Sequence, residues 1–158
     1  MLTVRDARSG DEDALLKLLR EFAEFERLTH LFQLTPGIIT RDFIGRDRRV
    51  TCAVAEWDGT LIGVMTWFYS YRTFAAKFGI FLEDLYVKPE FRRRGIAKTM
   101  MQHLAQRALG EGADRIDWCV LDWNRNAADF YLRLGAKSAP EWQTYGLDAN
   151  ALARLAKA

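Results

Sequence analysis

The chain has 158 residues, of which 49% are hydrophobic and 28% charged, and this balance predicts one globular domain spanning residues 1–158. A net charge of +2 gives no reason to expect nucleic acid as a partner. No apolar run approaches the ~20 residues that cross a bilayer, so no membrane association is predicted. Because the first residues are acidic and lack the apolar segment of a signal peptide, we expect a cytoplasmic protein.

Cysteine and histidine are scarce in this sequence. Cys52 and Cys119 each lie in an apolar segment, which predicts two reduced thiols in the core. His30 and His103 are far apart in the chain and show no ligand-like spacing to the cysteines. No metal site is therefore expected.

The first third of the chain predicts a strand and two helices. Leu2–Arg5 alternates as a short strand, and Ser9 with Glu12 fits a capping box that opens a helix. That helix has its apolar residues at helical spacing: Leu15, Leu18, Leu19, Phe22 and Phe25. Thr35-Pro36 predicts the start of a second, short helix.

The middle of the chain is β-rich. Val50–Glu56 and Thr60–Phe68 predict two strands, and Asp58-Gly59 between them predicts a hairpin turn. The residues from Ser70 to Gly79 are less regular and predict a loop. Ile80–Val87 predicts a further strand that ends before Pro89.

The remaining elements alternate between helix and strand. A helical pattern runs to about Ala108, Arg115–Leu121 predicts a strand, and Asn126–Leu134 predicts a helix. Trp142–Leu147 is interpreted as a last strand and Asp148 as the N-cap of a final helix. This order predicts an α/β class, an α+β mixed sheet with helices on its faces.

A basic turn follows the strand that ends at Val87 and leads into the long helix. A helix N-terminus exposes unpaired N–H groups, and a glycine at position 95 lets the backbone wrap an anion such as a pyrophosphate. Arg92, Arg93, Arg94 and Lys98 add positive charge. The turn is neither a Walker A loop nor a Gly-x-Gly-x-x-Gly fingerprint. The alternative is an exposed basic turn between a strand and a helix, without a ligand.

Two motifs make the chain resemble the GNAT N-acetyltransferases. Arg92-x-x-Gly95-x-Ala97 is similar to the acyl-CoA signature of that superfamily, and Asn124 followed by Phe130-Tyr131 and Gly135-Ala136 is similar to its second signature. Four short stretches resemble the diamine subgroup, of spermidine/spermine and thialysine type: Phe25-Glu26, Leu82–Val87, Asp122–Asn124 and the region of Glu141-Trp142. The resemblance implies a GNAT-like acyl-CoA N-acyltransferase fold with a mostly antiparallel sheet, acetyl-CoA as co-substrate, and a homodimer.

The resemblance also implies which residues contact acetyl-CoA. These are Leu85, Tyr86, Val87, Arg92, Arg93, Arg94, Gly95, Ile96, Ala97, Lys98, Asn124, Arg125, Asn126, Ala127 and Tyr131. The backbone of Leu85–Val87 would hold the pantetheine arm as an added strand would. Tyr131 would protonate the leaving sulfur, and its alternative role is packing beside Phe130. Asn124 also suits the N-cap of its helix, a role that is compatible with contacting the ligand.

The amine site implied by the resemblance is acidic. Its residues are Phe25, Glu26, Glu83, Asp84, Asp117, Trp118, Cys119 and Glu141. Glu83 would accept the amine proton through water, and Glu26 would contact the far end of a diamine, although a solvated helix residue is nearly as well supported there. Because Glu83 and Asp84 are adjacent on a strand, regular alternation predicts that they point to opposite faces.

The expected function is transfer of acetyl to a small cationic primary amine by direct attack in a ternary complex. Two alternatives stay open: a GNAT enzyme for amino acids or for protein or peptide amines, and a non-catalytic acyl-CoA-binding module.

Overall fold

A five-stranded sheet with strand order β1-β2-β3-β4-β5 organises the computed structural model, which describes residues 1–157. The strands are β1 (Leu2–Asp6), β2 (Thr51–Trp57), β3 (Thr60–Arg72), β4 (Lys77–Val87) and β5 (Ile116–Asp117). Pairing is antiparallel from β1 to β4 and parallel between β4 and β5. The predicted mixed, mostly antiparallel sheet is confirmed.

Residues 1–157 contain five α-helices. They are α1 (Glu12–Phe25), α2 (Pro36–Ile39), α3 (Ile96–Glu111), α4 (Arg125–Arg133) and α5 (Ala149–Leu155). Two predicted caps are confirmed, since Thr35 accepts a hydrogen bond from the backbone N–H of Ile38 at 3.3 Å and Asp148 accepts one from Ala151 at 2.7 Å. Within residues 1–157 no helix is both long and apolar enough to cross a membrane.

The predicted capping box at the start of α1 is wrong. The N-cap is Asp11 rather than Ser9, and the Glu12 carboxylate accepts from the N–H of Gly10. Asp11 is buried and receives two hydrogen bonds from the Arg5 guanidinium, at 2.7 and 3.0 Å. These bonds are the main reason that the pKa of Asp11 lies below its ordinary value.

The segment 70–79 was predicted to be a loop and is mostly strand. β3 and β4 stay paired as far as Arg72↔Lys77, which leaves only residues 73–76 for the turn. This long hairpin is anchored at the C-terminal end of α3. The Tyr69 hydroxyl donates to the Glu111 carboxylate at 2.7 Å, and Arg72 forms an ion pair with Asp114.

Two strand predictions towards the end of the chain also need correction. β5 contains only Ile116 and Asp117, where a strand over 115–121 was predicted, and residues 142–147 are irregular rather than β. The chain separates into two compact units, the first ending at Cys119 and the second beginning at Val120. All five strands lie in the first unit, and the single domain 1–158 stays a prediction.

The core of the first unit lies on both faces of the sheet. On one face α1 and α2 bury an apolar cluster: Leu15, Leu18, Leu19, Ile39, Cys52, Val54, Val64 and Tyr86. On the other face α3 approaches Gly63 closely, since an added Cβ there would lie 3.2 Å from the Met100 sulfur. Cys52 is buried as predicted, whereas Cys119 is exposed, so the prediction of two core thiols is wrong for Cys119.

Candidate functional site

A β-bulge in β4 sets the positions of the two adjacent acidic residues Glu83 and Asp84. Thr66 of β3 lies opposite Asp84, and the next residue, Trp67, lies opposite Leu82, which leaves Glu83 without a partner in β3. Because Thr66 and Trp67 point to opposite faces, Leu82 and Asp84 do so as well, although they are two residues apart. Regular alternation was the basis for placing Glu83 and Asp84 on opposite faces, and the bulge interrupts that alternation between them.

Asp84 is held on the face that packs against α1. The fully buried hydroxyl of Thr66 donates to the Asp84 carboxylate at 2.5 Å. Burial raises the pKa of Asp84, the bond from Thr66 lowers it, and the charge of Glu83 raises it again, with a net shift upward. Thr66 is not among the predicted site residues, although a buried polar residue inside the apolar run of β3 needs a hydrogen-bond partner and is a usable signal.

Glu26 follows the last residue of α1 and shares the electrostatic environment of Asp84. Burial raises the pKa of Glu26, and the charge of Asp84 raises it further. Glu26, Glu83 and Asp84 are called the acidic cluster below. Because the charge of Asp84 disfavours ionisation of Glu26, a cation bound between these two carboxylates would stabilise their ionised forms.

The other predicted amine-site residues have different surroundings. The Asp117 carboxylate accepts hydrogen bonds at 2.5 and 2.6 Å from the Arg115 side chain. Trp118 is half-buried and Cys119 exposed, directly after the end of β5. Glu141 lies exposed in an irregular stretch of the second unit. The structure thus groups Glu26, Glu83 and Asp84 and gives Asp117 another partner.

One edge of β4 is open beside the bulge. β5 pairs with β4 only at Ile80 and Phe81, and within residues 1–157 no strand pairs with that side of β4 from Leu82 to Val87. Backbone N–H and C=O groups need partners, so this edge can accept an extended ligand. The side chains of Tyr86 and Val87 are buried in the core, as predicted, and the Val87 carbonyl accepts a hydrogen bond from Arg92 at 2.9 Å.

The turn between β4 and α3 has the backbone of an anion site. Gly95 is the N-cap of α3 with φ +80°, and Arg93 also has a positive φ, of 62°. An added Cβ at Gly95 would meet nothing within 4 Å, so the left-handed backbone is what favours glycine there. The first-turn N–H groups of this 16-residue helix point out of its N-terminus.

The predicted phosphate-binding side chains do not behave alike. Arg93, Arg94 and Lys98 are exposed around the turn, whereas Ile96 is buried and Ala97 half-buried. Arg92 is half-buried, and its Nε donates to the backbone carbonyl of Val87 at 2.9 Å. Its guanidinium is therefore engaged within the first unit.

The second unit contains the other predicted motif. The Asn124 side chain accepts from the backbone N–H of Ala127 at 3.2 Å, which confirms it as the N-cap of α4. Arg125 and Asn126 are exposed in the first turn of that helix. Tyr131 is half-buried, and its ring centroid lies 5.1 Å from that of Phe130.

Comparison with known proteins decides the family. Residues 13–136 match the Acetyltransferase (GNAT) family. The chain belongs to the GNAT family. This GNAT protein is 33% identical to a thialysine N-epsilon-acetyltransferase of Bos taurus, over 97% of this chain and 96% of the relative. It is an N-acetyltransferase by family and by these relatives, and the predicted resemblance to the thialysine type is confirmed.

Two further similarities extend this assignment. The GNAT chain is 28% identical to an L-ornithine N5-acetyltransferase of Arabidopsis thaliana, over 98% of this chain and 87% of that protein. Its fold matches an integron cassette protein from the mobile metagenome of V. cholerae with a TM-score of 0.78 and 24% identity, covering 99% of this chain and 98% of the other. The GNAT fold is thereby confirmed.

Among residues 1–157 of this GNAT enzyme, no group of three or more histidine, cysteine, aspartate or glutamate side chains is arranged to hold a metal ion.

Proposed function

We propose that this enzyme transfers acetyl from acetyl-CoA to a small cationic primary amine, a diamine, polyamine or thialysine-like compound, in a ternary complex. One observation carries the proposal. The open edge of β4 and two members of the acidic cluster occupy the same stretch of one strand, residues 82–87. An acyl carrier lying along the edge would therefore meet an amine attracted by the carboxylates.

The residues present fit acetyl-CoA as a co-substrate. The backbone of Leu85–Val87 would bind the pantetheine arm, and a backbone N–H there would polarise the thioester carbonyl. The N-terminus of α3 and the exposed arginines Arg93 and Arg94 would bind the pyrophosphate. Asn124, Arg125, Asn126 and Ala127 would supply further contacts from the first turn of α4.

The reaction requires three proton transfers, two from the amine nitrogen and one to the leaving sulfur. An amine of the lysine type has a pKa of ~10.4, so it arrives as an ammonium ion and must lose a proton before attack. Glu83 takes that proton through water. The amine nitrogen attacks the carbonyl carbon and the C–N bond forms. The nitrogen then loses its second proton to water as the C–S bond breaks, and Tyr131 protonates the leaving sulfur and regains a proton from water. No covalent acyl-enzyme is involved.

The amine class is supported by charge and by the relatives. Thialysine and ornithine, which the relatives' names give as substrates, both have a primary amine at the end of a short chain. The acidic cluster offers one carboxylate for the reacting end and another for a second cation. Glu26 is assigned to the second cation, because it directly follows α1, whereas Glu83 and Asp84 belong to β4.

Assembly and location remain parts of this proposal. A homodimer is expected from the subgroup, and the exposed aromatic residues Tyr71 and Phe74 at the end of the β3–β4 hairpin offer an apolar surface for it. Size-exclusion chromatography with light scattering tests the dimer. A cytoplasmic location and one catalytic domain over 1–158 stay predictions.

A thiol-release assay with acetyl-CoA tests the proposed reaction. The acceptor panel contains spermidine, putrescine, thialysine, ornithine, lysine, other amino acids and a peptide amine. Turnover confined to the diamines or to thialysine and ornithine is expected. Turnover only with the peptide would favour a protein or peptide acceptor, and CoA binding without turnover would favour a binding module.

A matched pair of charge variants tests the diamine site. Glu26→Gln is expected to raise the KM for 1,4-diaminobutane about ten- to a hundred-fold, the loss of one charged hydrogen bond, and to leave the KM for butylamine unchanged. Glu24→Gln removes the same charge from an exposed position two residues earlier and serves as the control. An equal effect of Glu26→Gln on both amines would remove Glu26 from contact with the second cation.

A further inference from the structure

Arg92 differs from the two arginines that follow it. Its Nε donates to the carbonyl of Val87 at 2.9 Å, and its guanidinium carbon lies 4.7 Å from the centroid of the Phe25 ring and 5.5 Å from that of Tyr86. Arg93 and Arg94 are exposed, whereas Arg92 is half-buried. The first arginine of the basic turn is thus directed inward, towards a strand end and a helix end.

The contacts of Arg92 join three structural parts. Phe25 is the last residue of α1 and immediately precedes Glu26 of the acidic cluster. Tyr86 and Val87 end β4, at the open edge. Arg92 itself begins the turn that leads to the N-terminus of α3. The Arg92 side chain therefore connects the C-terminal end of α1, which lies next to Glu26 of the proposed amine site, to the strand and the turn assigned to the acyl donor.

We propose that Arg92 is a positioning residue that fixes the C-terminal end of α1, and with it Glu26, against the acyl-donor turn. The inference rests on the proposed function. A planar guanidinium can stack on an aromatic ring while its Nε–H donates to a carbonyl, and a lysine ammonium cannot do both in this geometry. Arginine is thus required here for its shape as well as for its charge.

A double-mutant cycle tests this role. Arg92→Lys and Phe25→Leu are each expected to raise the KM for 1,4-diaminobutane about two- to thirty-fold, the range of one cation–π contact. The KM of the double variant for 1,4-diaminobutane should not exceed the higher of the two single-variant values, because each change breaks the same contact. Phe25→Tyr keeps the ring, so its KM for 1,4-diaminobutane should rise less than that of Phe25→Leu.

Arg94→Gln is the matched comparison, because it removes an exposed arginine of the same turn. Arg94→Gln should raise the KM for acetyl-CoA and leave the KM for the amine unchanged. In the double variant with Phe25→Leu, each KM should therefore change as it does in the corresponding single variant. Calorimetry with CoA gives a readout independent of turnover, in which Arg92→Lys should bind CoA within about two-fold of the wild type and Arg94→Gln more weakly.

Several outcomes would overturn the inference. If the increases in the KM for 1,4-diaminobutane caused by Arg92→Lys and by Phe25→Leu multiply in the double variant, the two residues act separately. Weaker CoA binding by Arg92→Lys with an unchanged amine KM would make Arg92 an ordinary anion ligand. If Arg92→Lys fails to fold by circular dichroism, Phe25→Leu against Phe25→Tyr still decides whether the ring face matters. A wild type without amine turnover would instead reject the proposed function, and this inference with it.

Discussion

The hydroxyl of Thr66 donates a hydrogen bond to the carboxylate of Asp84 across the pair of strands β3 and β4. Thr66 is fully buried, and Asp84 faces it because of the bulge at Glu83. The bond favours the ionised form of Asp84 in a place where burial disfavours it. Thr66 therefore helps to keep a negative charge available for a cationic amine.

Removing this hydroxyl should change the pH dependence of catalysis. In Thr66→Val the pKa of Asp84 loses its lowering contribution and rises, so the acidic limb of kcat/KM for a diamine should move to higher pH. Thr66→Ser keeps the hydroxyl and should retain the wild-type limb. A pH–rate profile of the three proteins is the measurement, and coincident limbs would separate Asp84 from amine binding.

Asp84 should stabilise the complex with the amine and destabilise the free protein. Its folded-state pKa lies above the unfolded value of 3.8, so the wild type loses stability as the pH rises from that value through the folded-state pKa. Asp84→Asn removes this loss. Its melting temperature should exceed that of the wild type at pH 7, by about 2–4 °C for each kcal/mol recovered, and the advantage should disappear in acid.

The same variant should be a poorer enzyme. Loss of one charged contact predicts that kcat/KM for a diamine falls about ten- to a hundred-fold. Thermal unfolding from pH 3 to pH 8, together with the thiol-release assay, measures both effects. An Asp84→Asn protein that is less stable than the wild type only at neutral pH would contradict the assigned direction of the pKa shift.

Local signals in the sequence predicted local structure well. Asp58-Gly59 predicted a two-residue turn, and both residues have the positive φ that such a turn requires, 46° and 81°. Asn124 capped its helix as predicted because an N-cap depends only on residues within three positions. Each of these features is encoded by a few neighbouring residues.

The predictions of local structure were wrong where the local structure depends on side-chain contacts with residues elsewhere in the chain. Asp11 replaces Ser9 as the N-cap while Arg5 binds its carboxylate, and Tyr69 extends β3 while bonded to Glu111. The bulge at Glu83 has no signature in the sequence of β4, since it depends on register with β3. The residues of the acidic cluster were predicted from the family resemblance. Thr66 was not predicted, because its contact with Asp84 depends on the register between β3 and β4.

Tyr131→Phe tests the proposed acid in the second unit. CoA affinity should be nearly unchanged and kcat reduced about ten- to a thousand-fold, the range that loss of a general acid gives. Tyr145→Phe is the matched control, because it removes a hydroxyl from an exposed tyrosine of the same unit and should leave kcat unaltered. Single-turnover kinetics with calorimetry for CoA makes the comparison, and an unchanged kcat in Tyr131→Phe would remove Tyr131 from the mechanism.

Gly63 links packing in the core to the strand proposed for the acyl donor. A Cβ at this position would lie 2.9 Å from the Tyr86 carbonyl oxygen and 3.2 Å from the Met100 sulfur, so Gly63→Ala must displace β4, α3 or both. Overpacking of this kind costs about 1–3 kcal/mol. Because Tyr86 lies between Leu85 and Val87 in β4, its displacement would shift the open edge, and the KM for acetyl-CoA should rise along with the loss of stability.

Gly110→Ala is the control for the Gly63 substitution. Gly110 lies within α3, and an added Cβ meets nothing within 4 Å there, so helix propensity alone should stabilise the variant by about 1 kcal/mol. Thermal unfolding and the KM for acetyl-CoA are measured for both proteins. A Gly63→Ala protein that loses stability with an unchanged KM would mean that α3 moves while the end of β4 keeps its place, and would separate the packing at Gly63 from the acyl-donor edge.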